Sequence, residues 1–451
     1  MIDKSCSNIS KLLIKYTEIY RQRTPRSKQF YEKARSILPG GVTYKIRDFH
    51  PYPPYIIRGM GGKVIDIDGK EYTDYWMGHG ALILGHSNPE IVRMIKLQTE
   101  IGTHYGYEHP LAVKWAEAIK RNYPSMEMIR FTNSGTEANS YAIRLARAYT
   151  KKKKIVKIQG GWHGSYNGLH VNVHPPFTGK PESPGIPGEF SEYTITVELN
   201  NILDLKEKIS ENRNDIAALI MEPVLGAGGG VPSSREFAEE ARELCNRYNC
   251  LLIFDEVITG FRIGLGGGAE YLNVEPDLSV MGKIIGGGLP AGAFGGKREI
   301  MKLLDHREVE KHVFQGGTFT GNPLTASAGI TAINFLERNR EIYEHLGEIH
   351  SSVETEVNKI SREVNMPLHV TGTRGITGIH FTSKKPSNAR EVFEYRYCED
   401  LYQLINLYMR INGILYVSES IMHLLPSIHH TLEDVGKLMS TLRHILLETI
   451  Q

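Results

Sequence analysis

Residues 251–290 read LLIFDEVITGFRIGLGGGAEYLNVEPDLSVMGKIIGGGLP. The stretch opens on an apolar run, Leu251 to Phe254, and meets an acidic pair, Asp255 and Glu256. A run this short, apolar at successive positions, suits a strand buried on both faces of an α/β sheet. Open α/β sheets put their ligand sites at the C-terminal ends of such strands, which makes Asp255 a candidate functional acid. Further on, Lys283 stands among apolar residues and glycines in Ser279-Val-Met-Gly-Lys-Ile-Ile-Gly-Gly-Gly. Burial disfavours an ammonium and lowers its pKa, which suits an amine that must form a Schiff base. By itself the segment also reads as a loop lysine beside a glycine hinge.

Working outward, the pattern repeats. Residues 216–221 form a second buried apolar run, ending at Glu222-Pro223. Residues 155–158 lead into Gly160-Gly-Trp-His-Gly164, and residues 128–132 lead into Asn133-Ser-Gly-Thr-Glu-Ala-Asn139 ahead of a helix at 140–149. With amphipathic helices at 110–123 and 235–248, the alternation from about 110 to 295 predicts an α/β domain whose mainly parallel sheet is flanked by helices. The N-terminal 38 residues read as two helical pieces, 9–20 and 30–38, with a solvated Lys/Arg-rich connection at 21–28 and a stop at Pro39-Gly40-Gly41. Arg47 follows in 42–49, and residues 63–75 read as a β-hairpin turning at Asp68-Gly69. His79 belongs to a Gly-containing loop, 77–86. Residues 175–190, rich in Pro, Gly and Ser, are too many for a plain connection and read as a functional loop or lid. The expected division is an N-terminal segment, 1–75, contributing to a small domain, a large cofactor-binding domain, 76–330, and a C-terminal small α/β domain, 331–451.

The totals exclude several classes. A chain of 451 residues exceeds one ordinary core, so two domains are expected. A net charge of +2 carries no nucleic-acid footprint and no membrane-surface bias. The run 151–154 is a cluster of lysines at a helix C-terminus, where positive charge complements the dipole. Cys6, Cys245, Cys250 and Cys398 show neither CxxC nor zinc spacing, so no metal site is expected and a reducing compartment is. No apolar run approaches the roughly 18 residues of a membrane span, and the N-terminus lacks a signal peptide's apolar region, so a cytoplasmic location is expected.

Ser134-Gly135-Thr136 lies between a strand and a helix. Small residues there let backbone N–H groups, a hydroxyl and the helix dipole converge on a phosphate, although a serine in that place also serves as a simple N-cap. Gly264 to Ala269 matches the dinucleotide fingerprint in letters, but it lacks a strand directly before it and an acidic residue about 20 positions on, so the match is treated as chance. Trp162, beside His163, suits stacking on a planar ring or packing in the core. Asp255 suits a ring nitrogen, and Lys283 suits an aldehyde. A phosphate cradle, a stacking aromatic, a strand-end acid and a sequestered lysine together describe a pyridoxal phosphate site. There the lysine holds the cofactor, and the acid keeps the pyridine nitrogen protonated so the ring can accept carbanion electrons.

The sequence resembles the fold-type I, class III pyridoxal-phosphate aminotransferases, within them the glutamate-1-semialdehyde aminomutase group. The resemblance runs through Leu38-Pro-Gly-Gly-Val42, residues 64–74, Leu84-Gly-His-Ser-Asn-Pro89, residues 133–147, Gly161-Trp-His-Gly164, Ser183-Pro-Gly-Ile-Pro187, Glu222-Pro223, residues 254–262, 281–296 and 317–323. It implies a large domain with a mainly parallel sheet and a smaller α/β domain. It further implies Lys283 as the aldimine lysine, Asp255 as the partner of the pyridine nitrogen, and Val257 packing on the ring face opposite Trp162. Ser134, Gly135 and Thr136 fall where the family holds the phosphate, and His163 and Glu222 lie next to the cofactor. Thr318 would reach the phosphate of the neighbouring subunit, which implies a homodimer. Arg47 falls at the family's substrate-carboxylate arginine, with a surface arginine on a strand as the other reading. The 183–187 run resembles a gating loop.

This chain departs from the aminomutases in the substrate half. Gly78-His79-Gly80-Ala81 replaces a Ser-Trp-Gly-Pro-like run, which makes His79 a substrate-side candidate, and Trp162 stands where Tyr is usual. Asn139 follows the aminotransferases. Val417-Ser-Glu-Ser-Ile-Met422 replaces Ala-Pro-Ser-Ala-Phe-Glu, so that acidic residue is lost or moved. The expectation is an aminotransferase of the aminomutase-like group acting on a small amino or keto carboxylate, with glutamate-1-semialdehyde 2,1-aminomutase as the alternative.

Overall fold

Short apolar β-strands buried on both faces organise the larger of two compact units in the chain. A computed structural model describes residues 2–416 and 418–450, with side-chain surroundings from Asn8 onward; Val417, the first residue of the 417–422 run, lies outside the described residues. The larger unit holds Pro89–Tyr343 and Ser387–Glu394; the other takes the chain up to Asn88, Glu344–Pro386 and the chain from Tyr395.

The larger unit is built on a seven-stranded sheet. Its strands are β1 (Met128–Thr132), β2 (Lys154–Ile158), β3 (Thr194–Val197), β4 (Ile216–Met221), β5 (Leu251–Asp255), β6 (Leu278–Gly282) and β7 (Gly292–Gly296). They lie in the order β1-β7-β6-β5-β4-β2-β3. β3, β2, β4, β5 and β6 are mutually parallel, and β7 runs antiparallel to both β6 and β1. Successive side chains of a strand face opposite sides. Val156, Leu219, Met221, Leu252 and Phe254 accordingly enter one core with Phe237, Ala241 and Leu244 of the helix Arg235–Arg247. Ile155, Ala218, Ile220 and Ile253 enter the other with Ala138, Ala142 and Ala146 of the helix Gly135–Thr150. Every residue of β4 and β5 is buried, as expected of short apolar runs covered on both faces.

The helix Gly135–Thr150 starts five residues before the expected 140–149. Gly, Thr and Asn are weak helix formers, so 133–139 reads as loop by propensity. A reciprocal cap overrides this: Ser134 Oγ accepts from the Glu137 N–H at 3.2 Å, and Glu137 Oε2 accepts from the Asn133 N–H at 3.0 Å.

In the other unit the helices Ile2–Arg23, Glu399–Ile411 and Leu432–Ile450 share a core through Tyr16, Leu404, Ile405 and Leu442. The expected connection at 21–28 is solvated at six of its eight positions but is helical on both sides of Thr24. The helix Pro25–Arg35 follows directly after Thr24, which is buried and donates to Tyr20 O at 2.6 Å, and Pro25 takes the first-turn position a proline tolerates. The expected hairpin forms, Lys63–Asp66 against Glu71–Asp74, with Asp66 Oδ1 accepting from Asp68 N at 3.0 Å and Lys70 N at 2.8 Å to hold the turn. Arg47 lies not on a strand but in the single 3-10 turn Lys45–Arg47, closed by Arg47 N donating to Tyr44 O at 2.9 Å.

Candidate active site

Four segments of the larger unit converge at the C-terminal ends of β1, β2, β5 and β6. The distances that glycines leave open define the convergence. A Cβ on Gly135 would lie 2.8 Å from Val257 Cγ2, and one on Gly282 would lie 3.2 Å from Val257 Cγ1. Gly164, at φ +82°, would place a Cβ 2.2 Å from Thr136 Oγ1. A side chain at 135 or 164 would have to displace its neighbour, and one at 282 would need a few tenths of an ångström of give. The Ser134-Gly135-Thr136 turn, the Trp162-His163-Gly164 segment, the Asp255 strand end and the residue before Lys283 are thus one cluster.

Asp255 is buried at the end of β5. Its Oδ2 accepts from Asn139 Nδ2 at 2.8 Å and contacts His163 Nδ1 at 2.7 Å, and its Oδ1 accepts from Val257 N at 3.1 Å. Burial lowers the His163 pKa against the pull of Asp255, and because a carboxylate only accepts, Nδ1 carries the proton it donates. Asn139 Oδ1 and His163 Nε2 are buried and have no hydrogen-bond partner.

Lys283 follows β6 at φ +50°, a left-handed conformation that a lysine adopts only when its surroundings impose it. It is partly buried. Burial lowers its pKa, Asp255 and Glu222 raise it, and Arg262 lowers it further. Glu222 is buried at the end of β4, where its carboxyl accepts from Trp162 N at 2.8 Å and Gly226 N at 2.9 Å. Burial, then the charge of Asp255, pushes its pKa up to about 8. The Trp162 ring is edge-on to His170, with centroids 5.6 Å apart.

The cluster fits pyridoxal phosphate. Gly135 and Thr136 open a sixteen-residue helix, and the first N–H groups of a helix have no intrahelical partner and favour an anion. A buried carboxylate whose neighbours are fixed by Asn139 and His163 suits a protonated ring nitrogen, and a lysine with a lowered pKa suits an aldehyde.

Other sequence candidates lie outside this cluster. Thr318 is exposed on a loop whose neighbour Gly316 O accepts from Tyr141 OH at 2.9 Å. Arg47 and His79 belong to the other unit. There Arg47 is exposed and donates to Thr43 Oγ1 at 2.9 Å, and His79 stacks on Tyr44 with centroids 5.8 Å apart. Met422 begins the buried strand Met422–Leu424, while the nearby carboxylate, Glu419, accepts from His50 N at 2.7 Å and Arg410 Nη2 at 3.1 Å. The chance reading of 264–269 gains a physical reason: the N–H groups of Gly268 and Ala269 are occupied by the Glu256 carboxylate at 2.8 and 3.1 Å.

Sequence reasoning missed Glu256 as a loop anchor and Lys157 altogether. Lys157 is a charged residue in the apolar strand Ile155-Val156-Lys157-Ile158, and that misfit was the available signal.

Fold and site together define a pyridoxal-phosphate enzyme of the aminotransferase kind. The chain belongs to the class III aminotransferases, since the family model described as "Aminotransferase class-III" matches residues 46–446. Glutamate-1-semialdehyde 2,1-aminomutase of Methanococcoides burtonii is 42% identical over 371 residues, covering 82% of this chain and 87% of that protein. An omega-transaminase from Sphaerobacter thermophilus superposes with a TM-score of 0.88 at 31% identity, covering 94% of this chain and 98% of that one. A transaminase solved with PLP bound superposes with a TM-score of 0.85 at 28% identity, covering 95% and 98%.

Proposed function

We propose that this enzyme transfers an amino group between a small amino carboxylate and a keto acceptor, with Lys283 as the residue that moves the proton. The observation that carries the reading is the buried Asp255, engaged by Asn139 and His163, in a cluster with a lysine whose pKa is lowered. Bound pyridoxal phosphate supplies the electron sink for the substrate carbon. Asp255 would hold the proton on the ring nitrogen, and His163 keeps that carboxylate oriented. Ser134, Gly135 and Thr136 hold the phosphate. Trp162 and Val257 cover the two ring faces. Glu222 fixes the Trp162 backbone and raises the basicity of Lys283. Lys283 Nζ, as a free amine, would remove the proton from the carbon that bears the donor's amine and would deliver one to the keto-acceptor carbon that receives the amine, the bound cofactor carrying amine and proton between the two half-reactions. By resemblance, Arg47 and His79 are the candidates for the substrate carboxylate, a role that would hold the reacting C–H bond in one orientation. The 175–190 loop excludes water during the transfer.

The active form is a homodimer in which Thr318 serves the neighbouring subunit's phosphate. Its exposure, beside the exposed Phe319, is what a surface awaiting a second copy requires. A cytosolic location accords with the free thiols of Cys245, Cys250 and Cys398.

A second reading is intramolecular transfer within glutamate-1-semialdehyde, favoured by the 42% identity to an aminomutase. The two separate cleanly. With glutamate-1-semialdehyde and no other donor or acceptor, 5-aminolevulinate formation sinks the transaminase reading. Turnover only on addition of a keto acid sinks the aminomutase one. Lys283→Ala abolishes turnover in either case and leaves cofactor binding weakened but measurable; normal turnover in this variant refutes the assignment.

A further inference from the structure

Lys157 is fully buried in the middle of β2, on the sheet face it shares with Ile155, where the neighbouring strands contribute Ala218, Ile220 and Ile253. Its Nζ donates to three backbone carbonyls: Gly161 O at 2.9 Å, Leu169 O at 3.0 Å and Val171 O at 2.8 Å. Three acceptors match the three hydrogens of an ammonium, whereas a neutral amine would leave one carbonyl without a donor. Burial pushes the amine down to about 7, while Glu182 and Glu222 act to keep its proton.

All three acceptors lie on the segment that leaves β2, and that segment carries Trp162 and His163. Its far end is tied to the Pro/Gly-rich loop. Val171 pairs with Pro181 in an antiparallel bridge, and Glu182 N donates to His170 O at 3.2 Å. The Glu182 carboxylate accepts from Val173 N, from His174 N at 2.9 Å and pairs with His174 Nδ1 at 2.9 Å. Trp162 is in turn edge-on to His170. The aromatic wall of the site and the root of the loop therefore return to one buried amine.

We propose that Lys157 is a positioning residue, an internal cation that holds the segment bearing Trp162 and His163 and the root of the 175–190 loop as one body against the sheet. It sets the height of the aromatic wall before any ligand arrives, and displacement of the loop root is transmitted to Trp162 through the same three carbonyls. The consequence for cofactor binding rests on the site reading above. The mechanical coupling does not.

The test uses full-length Lys157→Met, which keeps the volume and removes the donors, and Lys157→Arg, which keeps charge and donors. Hydrogen–deuterium exchange of the apoprotein reads residues 160–174 and 180–184 separately from β4 and β5. In Lys157→Met both stretches exchange together, about 10-fold faster or more, with β4 and β5 unchanged. The dissociation constant of pyridoxal phosphate rises about 10-fold or more, and Lys157→Arg recovers part of both effects. Unchanged exchange, a rise in only one stretch, or an equal rise across the whole sheet overturns the proposal. Should Lys157→Met give no soluble protein, Lys157→Arg and Lys157→Gln are read against wild type in the same way, and unchanged exchange in both overturns it. Wild-type protein that fails to bind pyridoxal phosphate refutes the site reading and leaves the exchange comparison to decide the anchoring.

Discussion

In the proposed site, Asp255 and Lys283 divide the work at the residue scale. Asp255 already accepts three hydrogen bonds from inside the protein, so its orientation is set before a ring nitrogen arrives. Asp255→Asn keeps the shape and loses the charge; kcat/KM should fall about 10²-fold or more while thermal unfolding of the apoprotein changes little. Lys283 reacts with an aldehyde only as a neutral amine. Its pKa is lowered by burial, so cofactor uptake by the apoprotein should rise with pH and level off below the ordinary lysine value of about 10.4. Glu222 opposes that lowering. Above about pH 8, where Glu222 is ionised, Glu222→Gln removes the opposing charge and uptake there should shift to lower pH; stopped-flow uptake against pH in both proteins reads the shift, and a move upward contradicts the assignment. Asp255 and Lys283 were legible in the sequence because each is a charge out of place, one ending an apolar strand and one between glycines. Lys157 carried the same kind of signal inside β2. The engagement of Asp255 by Asn139 was not legible, since it joins positions 116 residues apart and no local pattern encodes it.

At the scale of elements, the site depends on close approach. The first turn of the helix Gly135–Thr150 sits against Val257 with no room for a methyl group. Gly135→Ala should weaken cofactor binding by about 10-fold, because a Cβ contact of 2.8 Å forces the helix start away from the strand end. Adding Val257→Ala frees that space, and titration of the double variant should show part of the affinity restored. A double variant weaker than the single one would mean that Val257 contributes more through the ring face than it obstructs. Strands and most helices were readable from the alternation of apolar runs and amphipathic stretches. The early start of this helix was not, because its cap depends on two side chains satisfying backbone N–H groups against poor intrinsic propensity. The dinucleotide-like glycines show the converse. Their letters suggested an anion site, but the Glu256 carboxylate occupies the amides.

For the whole molecule, the chain leaves the larger unit at Tyr343 and returns to it for Ser387–Glu394. Ala389 and Val392 of that return enter the core beneath β2, β4 and β5, and the Ala389 Cβ lies 2.1 Å from where a Cβ on Gly160 would be. Nothing in eight residues of local sequence announces such a contact, because it depends on what the distant glycine leaves open. The mainly parallel sheet, in contrast, followed from the order of runs and helices. Phe314 and Phe319, 69% and 57% exposed, flank Thr318, and apolar side chains this exposed suit burial by a second copy. Sedimentation should give a dimer for the wild type. Phe314→Asp with Phe319→Asp should shift it toward monomer and weaken cofactor retention; a dimer unaffected by both changes would remove Thr318 from the neighbouring site.

The central claim is that Lys283 holds the cofactor in the cluster ended by Asp255. Borohydride reduction of the holoenzyme fixes the cofactor to whichever lysine carries it, and peptide mapping identifies that lysine. The account predicts the label on the peptide containing Lys283 and none in Lys283→Ala. Label on Lys157, on another lysine, or on no peptide would contradict it.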